Sequence, residues 1–64
     1  MNEIIVAQSR FRRELNKLMR MVKQQPIVVI ITRCGERKAV FMDFDAYNAI
    51  KAKVEQFQQV DQKV

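Results

Sequence analysis

Ile27-Val28-Val29-Ile30-Ile31-Thr32-Arg33 is the stretch that decides the fold. Six β-branched residues in a row favour an extended chain, and the unbroken apolar run is the pattern of a strand covered on both faces. Cys34-Gly35-Glu36 follows with the only glycine of the chain and reads as a hairpin turn. Arg37 to Met42 then returns as a second strand, ending at Asp43.

Toward the C-terminus, Asp43 is an N-cap candidate for a helix starting at Phe44, and Asp45 suits the first turn of that helix. Capping accounts for both carboxylates without a metal. Phe44, Tyr47, Ile50, Val54 and Phe57 recur at spacings of three and four, which makes one stripe of an amphipathic helix. Tyr47 reads as a core residue, and Val54 and Phe57 either complete a dimer or anchor a partner. From Gln58 to Val64 the chain is polar and thin in anchors, so this end is expected to fray.

Toward the N-terminus, Pro26 biases Gln25 away from helical angles and closes the preceding helix. That helix is expected from about Arg10 to Gln24. Phe11, Leu15, Leu18, Met19 and Val22 form its apolar stripe, with Arg13, Asn16, Lys17, Arg20 and Lys23 opposite and Arg12 on the flank. Ile4-Ile5-Val6, just upstream, reads as a strand of a few residues within Met1 to Ala7. The order is β-α-β-β-α, an α+β domain. Two sheet faces and a helix stripe are more apolar surface than one short monomer covers easily, so a two-fold homodimer is expected.

The opening of the first helix carries an anomaly. Ser9 is a good N-cap, which would put Arg10 at N1, Arg12 at N3 and Arg13 at N4. Cations near a helix N-terminus cost roughly 0.3–1 kcal/mol each, and a capping box would place Glu or Gln where Arg12 stands. A bound anion removes that cost, because the free N–H groups and the guanidinium forks can address one phosphate. Ser9, Arg10, Arg12 and Arg13 are therefore candidate nucleic-acid contacts. Lys17, Arg20 and Lys23 read as a solvated face.

Charge agrees with this placement. The 64 residues carry a net +5, with nine Lys/Arg against three Asp/Glu in residues 1–42 and three against four in residues 43–64. That is a polyanion footprint confined to one part of the chain. One cysteine makes no internal disulfide, and Cys34 reads as an incidental turn residue. No Cys/His cluster suggests zinc, and no cofactor is implied. There is no histidine, no Gly-rich phosphate loop and no nucleophile–base pair, so nothing points to an enzyme. The longest apolar run, Ile27 to Ile31, is too short for a bilayer, and no signal-peptide pattern opens the chain. A cytoplasmic setting without membrane contact is the expectation.

These residues together resemble the Phd/YefM-type antitoxins of bacterial type II toxin–antitoxin modules. The matching features are Ser9-x-x-Arg12-Arg13-x-Leu15, then Pro26 before a strand ending Ile31-Thr32-Arg33. The turn at Gly35-Glu36, the strand Ala39-Val40-Phe41-Met42 and Asp45-Ala46-Tyr47 early in the second helix complete the set. The match spans roughly residues 4–50. The resemblance implies a dimeric domain, here residues 1–50, that binds double-stranded operator DNA and represses its own operon. It also implies a C-terminal arm that neutralises a small toxin, for which residues 51–64 would serve. The family's DNA-contacting arginines map onto Arg12 and Arg33. Tyr47, Ile50, Val54 and Phe57 become the candidate toxin-binding residues. Family members continue further past the second helix than this chain does, which leaves a stand-alone repressor open. A protein-interaction module, in which residues 44–64 hold a partner and the basic face is incidental, is the reading from another class. An Arg33–Glu36 pair across the turn is the structural competitor for Arg33.

Overall fold

The computed structural model describes residues 2–58, with side chains as far as residue 55. Three strands form one sheet in the order β1-β2-β3: β1 (Asn2–Ala7), β2 (Ile27–Arg33) and β3 (Glu36–Phe41). Strand β1 pairs parallel to β2, with Ile4 opposite Val29 and Val6 opposite Ile31. A parallel pair needs a crossover, which α1 (Gln8–Arg13) and α2 (Leu15–Gln24) supply. Strand β3 pairs antiparallel to β2 through a hairpin, and α3 (Phe44–Gln58) follows. The expected α+β class holds.

Two local expectations need correction. The first helix does not begin behind a Ser9 cap. Ala7 is the N-cap, extended at φ −72° and ψ 155°, and no side chain caps the helix. Ala7 is still paired with Thr32, so the sheet holds the chain extended up to the residue where the helix must start. Ser9 thus sits inside the first turn. The helix is also bent rather than continuous. Glu14, at φ −108° and ψ 22°, separates α1 from α2. The bond from the Glu14 N–H to the Arg10 carbonyl and that from the Leu18 N–H to the Glu14 carbonyl, both 2.9 Å, bridge the bend.

The core lies between one sheet face and the helix pair. Val6, Leu18, Val22 and Val29 are buried together, with Ile4, Phe11, Met21, Ile31 and Phe41 packed around them. Leu18 and Val29, 1% and 0% exposed, are its centre. The bend at Glu14 divides the helix stripe. Leu18 and Val22 go inside, whereas Leu15 and Met19 stay exposed, because three strands offer α2 only one line of cover.

On the far face of the sheet, Val28 and Ile30 of the central strand are buried, while Ile5 and Val40 on the flanking strands are exposed. No described element forms a layer over that face. The turn fits its residues closely. Cys34 and Gly35 have φ of 54° and 78°, the positive pair that a two-residue type I′ hairpin requires.

Candidate nucleic-acid interface and the exposed second helix

The end of β2 and the start of α1 face each other across a groove of about 560 Å³. Phe11, Ile31 and Ala39 give it apolar walls, and Gln8, Arg33 and Lys38 give it polar ones. This arrangement follows from the topology. The parallel β1–β2 pair brings Ala7, where the helix begins, beside Thr32, so Arg33 is carried to the helix opening. Lys38 arrives there by a different device. Ile31 pairs with Ala39 while Thr32 pairs with Arg37, so Lys38 is the extra residue of a β-bulge.

Ser9, Arg10, Arg12, Arg13 and Arg33 are all exposed. With Ala7 as N-cap, Arg10 takes N3, while Arg12 and Arg13 fall beyond the first turn. The electrostatic anomaly therefore shrinks to Arg10, and Arg10 is answered within the chain. Its Nε donates to Glu14 Oε1 at 3.1 Å, an i,i+4 pair on the outside of the bend. Arg12, Arg13 and Arg33 form no ion pair among the described residues. The anticipated partner of Arg33, Glu36, instead takes the Lys38 ammonium at 2.9 Å.

Lys38 was not a candidate from sequence. A strand read by strict alternation gives no sign that its side chain is re-aimed toward the helix; only the register shift does. Lys23, expected to be merely solvated, is also committed. Its Nζ lies 2.9 Å from Asp43 Oδ1.

The second surface is α3. Asp43 caps it as expected, its Oδ2 accepting from the Asp45 N–H at 3.1 Å, and the Tyr47 N–H closes onto the Asp43 carbonyl at 3.0 Å. No other described element packs along this helix. Its apolar stripe is consequently bare. Phe44 is 68% exposed, and Tyr47, Ile50 and Val54 are exposed with it. Tyr47 is therefore not a core residue: the helix leaves the body after its first turn, so no other described element covers the ring. Tyr47 stacks on Phe44 instead, centroids 6.4 Å apart. The Phe57 side chain and the expected fraying of the C-terminal end lie outside the described residues.

A short α+β module with a basic helix opening and a bare amphipathic helix is thus the class that geometry defines. The Phd_YefM antitoxin family of type II toxin–antitoxin systems matches residues 3–63, and the chain belongs to that family. No curated protein and no solved structure matches it. Among the described residues no helix is long and apolar enough to cross a membrane.

Proposed function

We propose that this chain binds operator DNA as a two-fold homodimer, represses its own operon in the cytoplasm, and engages a small toxin through its C-terminal helix. The observation that supports the DNA reading is the convergence of Arg33 and Lys38 on the groove at the opening of α1, a six-residue helix whose last turn carries Arg12 and Arg13, both exposed and without ion-pair partners among the described residues. Cations from two elements at one edge of the fold can straddle a phosphate backbone. Arg12 is assigned direct base reading, by a bidentate contact to guanine. Ser9, Arg10 and Arg13 grip phosphates, with Arg33 in support. Arg10 exchanges Glu14 for phosphate at an exposed site, where such an exchange costs little.

The uncovered sheet face with Ile5 and Val40 favours the dimer, since a second copy would supply the missing layer. A two-fold axis would then match a palindromic site. In this reading residues 1–50 act on DNA, and residues 51–64 extend the partner-binding helix. Tyr47, Ile50 and Val54 supply its described apolar contacts, and Phe57 lies further along the same stripe.

The bare stripe of α3 also supports the second reading, a protein-interaction module without DNA binding. Fluorescence anisotropy on the promoter upstream of its own gene, against random duplex at two salt concentrations, separates the two. Tighter promoter binding that depends on Arg12 establishes the repressor. Weak, equal binding to both duplexes leaves α3 as the functional surface. Pull-down of the neighbouring gene product with and without residues 56–64 tests the toxin arm.

A further inference from the structure

Asp43 is the one described side chain that ties α3 to the rest of the fold by polar contacts. Its two carboxylate oxygens do different work. Oδ2 accepts from the Asp45 N–H inside the first turn of α3, whereas Oδ1, shielded from solvent, faces the Lys23 ammonium in the last turn of α2. The carboxylate is largely covered, at 16% side-chain exposure, although Lys23 is mostly in water. Around the pair, Val22, Pro26, Ile27 and Ala46 line a cleft of about 270 Å³ between the end of α2 and the start of α3. Ala46 is the single residue between Phe44 and Glu55 that is not exposed. Among the described residues, the contacts that fix the direction of α3 are therefore gathered at its first turn.

We propose that Asp43 is a latch: one oxygen starts α3 and the other pins that start to α2, so the Lys23–Asp43 pair sets the angle at which α3 leaves the body. An ion pair whose lysine is mostly in water contributes little to global stability, and the latch does not depend on doing so. It acts on a helix that has almost no other contact, where a small bias decides orientation. The regulatory consequence rests on the reading of α3 as the partner-binding helix. A protein seated on Phe44, Tyr47, Ile50 and Val54 reaches α2 through Asp43 and Lys23, and two backbone hydrogen bonds across the bend at Glu14 join α2 to the arginine-bearing α1. A change in the α3 angle and a change at the DNA face would then be linked, each affecting the other by the same factor.

The lone Cys34 gives a direct test. A nitroxide on Cys34 and another on Lys51→Cys, with the labelled chain diluted in unlabelled protein, report the intrachain distance between the hairpin and α3 by double electron–electron resonance. Lys23→Gln leaves the Asp43 cap intact, and Asp43→Asn keeps a capping oxygen while removing the charge. The expected result is a narrow distance distribution in the parent, broadened alike in both variants and no further in the double variant, with helix content by circular dichroism unchanged. Parent-like width in both variants overturns the latch. Broadening in Asp43→Asn alone also overturns it, since capping would then be the whole role. The measurement uses neither DNA nor partner, so its failure is distinct from failure of the repressor reading.

Discussion

Phe11 of α1 and Phe41 of β3 meet edge to face, their ring centroids 5.2 Å apart and their planes at 70°. The contact runs across the core side of the sheet and joins the arginine-bearing turn to an edge strand. Both rings are half-buried, so each also forms part of the boundary between core and groove. Phe11→Ala should cost about 2–3 kcal/mol, below the full range for a buried phenylalanine because the ring is partly exposed. Chemical denaturation gives the loss of stability. DNA titration of the folded fraction should show an additional loss of affinity, because the ring positions α1.

Leu18→Ala empties the centre of the core. At 1% exposure the truncation should cost about 3 kcal/mol or more, a large share of what so short a domain can hold. Met19→Ala, one position on but half exposed, should cost much less. Thermal melts of the two variants compare the two faces of α2 directly. Equal losses would mean that Met19 is covered in solution, by a contact other than a second copy on the Ile5 and Val40 face of the sheet.

At the hairpin tip the two residues predict opposite signs. Gly35→Ala places a side chain at φ 78°, in open space, so its cost is conformational and about 1 kcal/mol. Cys34→Asn installs the residue that a type I′ turn favours at φ 54° and should raise stability by a few tenths to about 1 kcal/mol. Melting temperatures of the pair under reducing conditions check both signs.

The Lys23 ammonium, 2.9 Å from Oδ1, holds the Asp43 carboxyl below its ordinary value of 3.8, against the opposing effect of desolvation. The adjacent Asp43 carboxylate in turn raises Lys23 above 10.5. The lowered carboxyl stabilises the fold at pH above 3.8, and that contribution is lost as pH falls through the folded value. The raised lysine contributes below 10.5 and loses its effect as pH rises through its own folded value. Both members of the pair are thus charged across the neutral range. Titration of the Asp43 side-chain carbon resonance by NMR should show its midpoint rising in Lys23→Gln; an unmoved midpoint would mean that the ion pair is absent in solution.

Arg12→Ala should cost about 1–3 kcal/mol per site on the operator and less on random duplex, because only the former includes base reading. Lys17→Ala should lose less and should lose it equally on both. Both proteins should bind more weakly as salt rises, with the steeper slope in the one that retains more phosphate contacts. Anisotropy at two salt concentrations yields all four comparisons.

What could be read from the sequence was what depends on neighbours in sequence. Gly35 marks the turn, Asp43 caps the next helix within two residues, and the apolar run at residues 27–31 makes a central strand wherever the rest of the chain goes. The misreadings depend on partners distant in sequence. Ser9 has the chemistry of a cap, but the pairing of Ala7 with Thr32 moves the helix start two residues upstream. Lys38 joins the groove through a bulge whose register is set by β2. Periodicity points Tyr47 toward a core, yet periodicity reports only that one helix face is apolar and is silent about what covers it.

The same bulge has a consequence for assembly. Free strand edges invite another strand, and proteins blunt them with twist and charge. The β3 edge has both, from the extra residue and from Glu36, Arg37 and Lys38 in succession. The β1 edge, Asn2–Ala7, has no proline and no bulge in its register with β2, and carries one charged residue. If this sheet ever grows by main-chain hydrogen bonding, in a fibril or in crowded refolding, the new strand joins at β1, and one lysine placed at Ile5 is the substitution that closes that door.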